Sequence, residues 1–296
     1  MGSDGHAVEP AARPERPAWA RALVRRVALT AAVLGGFWGL WEGYRWLWST
    51  TGWTRPFVVD YLTMPHIHEM FQRLFEPSRS EGPLLLGLLL ESAAFTAREA
   101  FAGFALGALI GFTIGVVLHH SLFLQRGLLP FIVASQTVPI LAIAPMVVIW
   151  LGGKGLPVWV PVAVIAAYLT FFPVTINTLR GLGSADPRAL ELMRSYAASP
   201  WRVLWKVKVP ASLPYVFTAL KVSATASVVG AIIGELPSGI QDGLGGAILN
   251  FNQYYSLEPA SLWATNIVAA ALGIAFFGAV VGAEKLVVRA APEHVG

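Results

Sequence analysis

The chain has no cysteine among its 296 residues. That excludes a disulfide framework and any thiolate-held metal. It also has little charge. Charged residues make up 13% of it, against roughly 25% in a soluble domain. Hydrophobic residues make up 55%, and the mean hydropathy is +0.61. A chain this apolar cannot hide all its side chains in one aqueous fold, so an all-α integral membrane protein is expected. A G-x-x-x-x-G-K-[ST] loop is absent as well; Lys154 in GGKGLP stands in the wrong frame. The chain therefore does not cradle ATP phosphates in that way, and its energy must come from a partner or a gradient. No clear internal repeat is present and buried charges are few, which weighs against an ion-coupled carrier or channel, the alternative class.

Six stretches are apolar over the ~20 residues that a span needs: approximately 27–48, 86–118, 128–151, 157–179, 213–236 and 262–284. The second is too long for one upright span. It is expected to begin as a helix at the membrane face, carrying Glu91, Arg98 and Glu99, before it crosses. Residues 1–18 are polar and Pro-rich and read as a disordered tail. Arg25 and Arg26 precede an apolar run, as in a signal peptide. No small-residue cleavage site follows, and a retained span is expected.

Basic residues gather on one side of this scheme. Arg13, Arg16, Arg21, Arg25 and Arg26 precede the first span, and Arg126 follows the second. Arg180, Arg188, Arg194, Arg202, Lys206 and Lys208 follow the fourth, and Lys285 and Arg289 follow the sixth. The opposite side holds only Arg45, Arg55, Arg73, Arg79 and Lys154. Positive-inside then puts both termini in the cytoplasm. It also accounts for the net charge of +4 without a nucleic acid. The outer segment MPHIHEMFQRLFEP reads as a short amphipathic interfacial helix. His66 and His68 are two apart, which on a helix points them to different faces, so no metal site is expected.

Gly103, Gly107, Gly111 and Gly115 recur every fourth residue in the second stretch. On a helix they make a groove of bare backbone that admits another helix closely. Gly35, Gly39 and Gly43 repeat the idea in the first. Pro139 and Pro145 interrupt the third, beside Ser135, Gln136 and Thr137. Freed carbonyls and polar side chains there must bond internally or line water. With Pro139, Asn177 and Glu235, they are the candidates for a translocation path. Lys221 either meets that path or snorkels to the interface, and Glu235 either meets it or sits at the outer surface. Trp150, Tyr168, Tyr254 and Tyr255 could stack on a flat solute or serve as interfacial belt residues.

Between the fourth and fifth stretches lies ADPRALELMRSYAASPWRVLWKVKVPASLP. Asp186 with Pro187, and Ser199 with Pro200, are two N-cap and first-turn pairs, so a helix pair is predicted. Pro210 and Pro214 mark the start of the next span. Apolar Leu192, Met193, Tyr196, Trp201 and Trp205 alternate with basic residues, the mark of a partner site. Anionic lipid, or the bundle itself, is the alternative surface for it.

Glu191-Leu192-Met193, then Ala197, then Val207-Lys208-Val209-Pro210 is similar to the EAA loop of importer-type ABC permeases. That pattern runs E-A-A, three residues, G, nine residues, I-x-L-P. The spacing matches at every anchor, but Ala197 replaces the glycine. Residues 62–290, including PFIVASQTVPILAIAPMVVIWLG and FFPVTINTLRGL, resemble the nitrate/sulfonate/taurine-type permeases. Their flavour looks closest to the branch for riboflavin or thiamine-precursor pyrimidines. The resemblance implies a six-span type I ABC importer transmembrane domain in a bacterial inner membrane. It is a transport subunit rather than an enzyme, with 19–85 as first span and outer helix, and 86–290 as core containing a coupling loop at 185–212. It implies two permease copies, an extracytoplasmic solute-binding protein, and a cytosolic ATPase dimer that holds ATP and magnesium, with no cofactor on this chain. The ATPase would dock on Glu191, Leu192, Met193, Arg194, Ser195, Tyr196, Ala197, Ala198 and Ser199.

Overall fold

The structure is a computed structural model that describes residues 18–52, 55, 58–78 and 82–288, with backbone only for 18–23. Most of the expected N-terminal tail lies outside the described residues. Apart from an isolated bridge between Pro77 and Leu84, all regular structure described is helical. The chain divides into two compact units, at Ile67 and His68.

The first unit holds α1, Ala18–Thr51, which at 1.5 Å per residue is about 51 Å long. A Cβ at Gly35, Gly39 or Gly43 would meet nothing within 4 Å. Within this unit, nothing described fills the glycine groove expected in this helix. The Glu42 carboxylate instead takes the Ile67 amide at 3.2 Å and meets His66 Nδ1 at 2.8 Å.

The second unit comprises α2 (Ile67–Leu74), α3 (Leu85–His120), α4 (Leu122–Ser135), α5 (Ile140–Gly152), α6 (Trp159–Leu182), α7 (Pro187–Ser195), α8 (Pro200–Val203), α9 (Val209–Ser238), α10 (Leu244–Gln253) and α11 (Pro259–Val288). A π-helical turn, Leu204–Lys208, joins α8 to α9. His66 precedes α2, so the two histidines do not share a helix, and the spacing argument that separated them does not apply.

The stripe on α3 decides how the core packs. A Cβ at Gly103 would lie 2.4 Å from Ala166 Cβ, and one at Gly107 would lie 2.5 Å from the Ala167 carbonyl. Gly111 meets Phe171 and Val174 in the same way, and Gly115 meets Thr178. The four glycines thus set α3 against the backbone of α6. On the opposite side of α6, Gly230 and Gly234 of α9 approach Ala166 and Val162. Ala166 is fully buried between two glycines. In lipid, where apolar side chains gain little by leaving the tails, this backbone contact is what holds the three helices together. A second cluster joins Leu74 of α2, Leu85 and Leu89 of α3, Leu244 of α10, and Ala264 and Val268 of α11. Arg73 fixes the same corner, its guanidinium 2.8 Å from Glu258 and bonded to Ser261 and the Pro77 carbonyl.

The helices α3, α6, the run Pro200–Ser238 and α11 are each long and apolar enough to cross a membrane. The third sequence stretch is a broken pair of helices rather than one continuous kinked helix. Its two halves, α4 and α5, meet at a bend of 97°. Pro139 lacks an N–H to continue α4 and holds Val138 out of helical geometry, so one helix ends and the next starts there. Pro145 lies inside α5 without breaking it. The second stretch also differs from expectation. Glu99 is not at the membrane face but 3% exposed inside the bundle, while Glu91 and Arg98 stay exposed.

Candidate functional site

Helix α7 starts as its residues dictate. The Asp186 carboxylate accepts the Arg188 amide at 2.9 Å, and Pro187 fills the first turn, where its missing N–H is no loss. The helix ends in a left-handed turn. Ala197 has φ +50. Its amide donates to the Arg194 carbonyl at 2.9 Å, and the Ala198 amide donates to Met193 at 3.0 Å. This pair of bonds is the Schellman closure, whose turning residue is usually glycine. Ser199 then accepts the Arg202 amide at 3.4 Å.

From Pro200 the helix runs through to Ser238. Pro210 and Pro214 therefore do not separate a loop helix from a span. The second helix of the predicted pair is the extension of the span itself, offset by the π turn. That turn is tied to the end of α3 by Lys208 Nζ, 2.8 Å from His119 Nε2. Among α7 and its turn, Glu191, Leu192, Arg194, Ser195, Tyr196, Ala197 and Ser199 are exposed, and Met193 and Ala198 are half-buried. Leu192 is 57% exposed and Tyr196 74%. Trp201 and Trp205 stack edge to face beside them at 5.4 Å and are also exposed.

The residues proposed for a path fall in three places. Ser135, Gln136, Thr137 and Pro139 form the bend. Ser135 and Thr137 bond back to the carbonyls of Ile132 and Ala134, and the Tyr168 hydroxyl of α6 donates to the Ser135 carbonyl. Asn177 lies farther along α6, half-buried and bonded to the Pro173 carbonyl at 2.9 Å. Glu235 is fully buried rather than at the outer surface. Its carboxylate accepts the Thr96 hydroxyl at 2.7 Å and the Gly245 amide at 2.6 Å, and so caps α10. Lys221 does not stand alone: its ammonium lies 2.9 Å from Glu284 of α11.

Three further features escaped the sequence. Glu284 was not matched to Lys221, although each is the lone charge of its sign near the same end of an apolar run. Glu99 lies one helical period before Gly103, and that phase placed it on the inward stripe. The third is an open cleft of about 1210 Å³ between the start of α3, the residues Ser78, Gly82 and Pro83, and α10. Glu91, Gln241, Asp242, Asn250, Tyr254 and Glu258 line it, and among the described residues no Lys or Arg does. Of the four aromatic candidates, Tyr254 faces this cleft. Tyr168 holds the bend, Tyr255 accepts from Trp263, and Trp150 lies under Lys154.

Residues 103–287 match the family model for the binding-protein-dependent transport system inner membrane component. Over 203 residues the chain is 32% identical to the formylaminopyrimidine transport permease protein ThiX of Halalkalibacterium halodurans, covering 67% of this chain and 78% of that one. It is 33% identical over 162 residues to the riboflavin transport system permease protein RibX of Chloroflexus aurantiacus, covering 55% of this chain and 59% of that one. The membrane fold is similar to a chain of the inward-facing MetNI methionine ABC transporter, with TM-score 0.54 at 20% identity over 69% of this chain and 96% of that chain.

Proposed function

This chain belongs to the binding-protein-dependent transport system inner membrane components, the permease subunits of ABC importers, and from that premise we propose how it works. Two copies form the path across a bacterial inner membrane, with both termini in the cytoplasm. A cytosolic ATPase dimer, which carries ATP and magnesium, seats on Glu191–Ser199. An extracytoplasmic binding protein delivers the solute at the opposite face. Core and coupling loop occupy 86–290 and 185–212, and α1 adds the span that makes six.

The observation that carries this reading is α7. It is capped at both ends, yet it presents Leu192 and Tyr196 to solvent between basic groups. A helix ordered by its own caps and bare of apolar cover suits a partner's groove. Closure of the ATPase dimer would push two such helices together and rock the spans between inward and outward access. The test is Glu191→Arg in the full complex. Association with the ATPase should fall by about tenfold or more, the worth of one interface contact of ~1.4 kcal/mol, while the bundle stays folded. Unchanged co-purification would remove α7 as the docking element.

For the solute, we favour a neutral or amine-bearing flat ring, of the riboflavin or pyrimidine kind, over a sulfonate- or nitrate-like anion. The segment FNQYYSLEP, which contains the cleft residues Tyr254 and Glu258, holds no Lys or Arg, which disfavours dedicated anion capture and supports this. So do the substrates named for the two relatives. A ligand screen on the cognate binding protein tests it; selective capture of an alkanesulfonate or nitrate would reverse the preference.

A further inference from the structure

Glu99 and Glu235 are two acids packed side by side within the bundle. Glu99 is 3% exposed and Glu235 not at all, and Thr96, one turn before Glu99 on the same face of α3, donates to Glu235 at 2.7 Å, which brings the two carboxyl groups to one site. No cation accompanies them among the described residues. On α3, Arg98 and Glu91 point outward. On α9, Lys221 lies more than three turns away and is occupied by Glu284 of α11. The α6 side chains facing Gly234 of α9 are Val162 and Ile165. Helix α10, LGGAILNFNQ, has no charged residue, and Asp242 before it is exposed.

The two carboxyl groups are not equivalent. Both oxygens of Glu235 have donors, Thr96 on one and the Gly245 amide on the other. This is how an ionised carboxylate sits at a helix N-terminus. Neither oxygen of Glu99 meets any donor. Two ionised carboxylates in contact, without a cation and out of water, would repel strongly; a single proton turns the contact into a hydrogen bond.

We propose that Glu99 is a carboxylic acid whose O–H donates to the Glu235 carboxylate, and that this shared proton is the clasp fastening α10 and its preceding loop to α3 and α9. The clasp is small but well placed. Thr96 both donates to Glu235 and accepts the Leu244 amide at 2.9 Å, so three helices meet at one carboxylate. A Cβ at Gly243 would sit 2.3 Å from the Glu235 carboxyl carbon, and one at Gly245 2.6 Å from its Cβ; bare backbone is required on both sides. Gln241, Asp242, Gly246 and Ala247, immediately flanking the clasp, line the outer cleft. Whatever opens or closes that cleft must strain or release the shared proton. The inference does not depend on which solute is carried.

The test uses the full chain in lipid nanodiscs at neutral pH. The infrared difference spectrum of wild type minus Glu99→Gln should contain the C=O stretch of a protonated carboxylic acid. Hydrogen exchange of the peptide spanning Leu244 and Gly245 is the second readout. Glu99→Gln keeps a donor in place and should preserve protection within about twofold, whereas Glu99→Ala removes it and should cost about tenfold. Glu99→Leu, which fills similar space without a donor, should exchange like Glu99→Ala, whereas a purely space-filling role would leave it protected. The proposal is overturned if the carboxylic-acid band is missing, if Glu99→Gln exchanges as fast as Glu99→Ala, or if protection requires added sodium or calcium.

Discussion

At φ +50, Ala197 holds a backbone geometry that glycine adopts freely and alanine does not. The left-handed region costs an L-residue roughly 1–2 kcal/mol. Ala197→Gly should therefore stabilise the turn by about 1 kcal/mol, read as slower hydrogen exchange across residues 187–200, with no change in ATPase affinity beyond that of a firmer helix. Faster exchange would mean that alanine is preferred there. The spacing of the motif already placed a glycine-type turn at this position, so the site was legible from the sequence, and the alanine was visible as the departure. The pairing of Lys221 with Glu284 was not legible, because 63 residues separate them and the lone-charge pattern carries no partner. Each side chain is 24% exposed, so the pair is partly screened. A double-mutant cycle with alanine should return a coupling of about 1 kcal/mol in thermal stability, the double variant losing less than the sum of the two single losses. A cycle that closes at zero would show that neither charge needs the other.

The elements sort by what their glycines touch. On α3 the period-four stripe is a contact surface, and Gly107→Val should destabilise the bundle by about 1–3 kcal/mol through overpacking against Ala167 and Thr170. On α1, Gly39→Ala should be tolerated, since a Cβ there meets nothing within 4 Å. Equal sensitivity of the two, measured as melting temperature in detergent, would contradict this assignment. Both stripes have the same period, which is why the sequence did not distinguish them. Periodicity reports that a face is bare; it does not report whether a helix arrives. The bend between α4 and α5 was half legible. Pro139 announced a disturbance, but whether a proline kinks a helix or ends it depends on partners for the freed carbonyls. Here the Tyr168 hydroxyl, from a different helix, takes the Ser135 carbonyl, and Ser135 and Thr137 fold back on their own turn. Those bonds stabilise a helix end where the apolar run alone suggested continuity. Helix α7 was the opposite case. Its start, Asp186 with Pro187, and that of α8, Ser199 with Pro200, are set by local chemistry, which survives translation from sequence to structure.

At the scale of the whole molecule, the bundle is built around α3, α6 and α9, backbone against backbone, with α11 and α10 closing the outer corner. The arrangement shares its fold with the permease subunits of type I ABC importers. It places a self-capped helix, α7, between the ends of two membrane helices, and a cleft lined by Glu91, Asp242 and Glu258 beside α10. An energy source is not among this chain's sequence motifs, and α7 is where one would connect. We propose that movement of an ATPase becomes movement of these helices through α7. The measurement that bears on it most directly is solute uptake into liposomes holding this chain with its cognate ATPase and binding protein. The account predicts uptake only when ATP and all three proteins are present, and loss of that uptake in Glu191→Arg. Uptake by this chain alone, driven by an ion gradient without ATP, would contradict it.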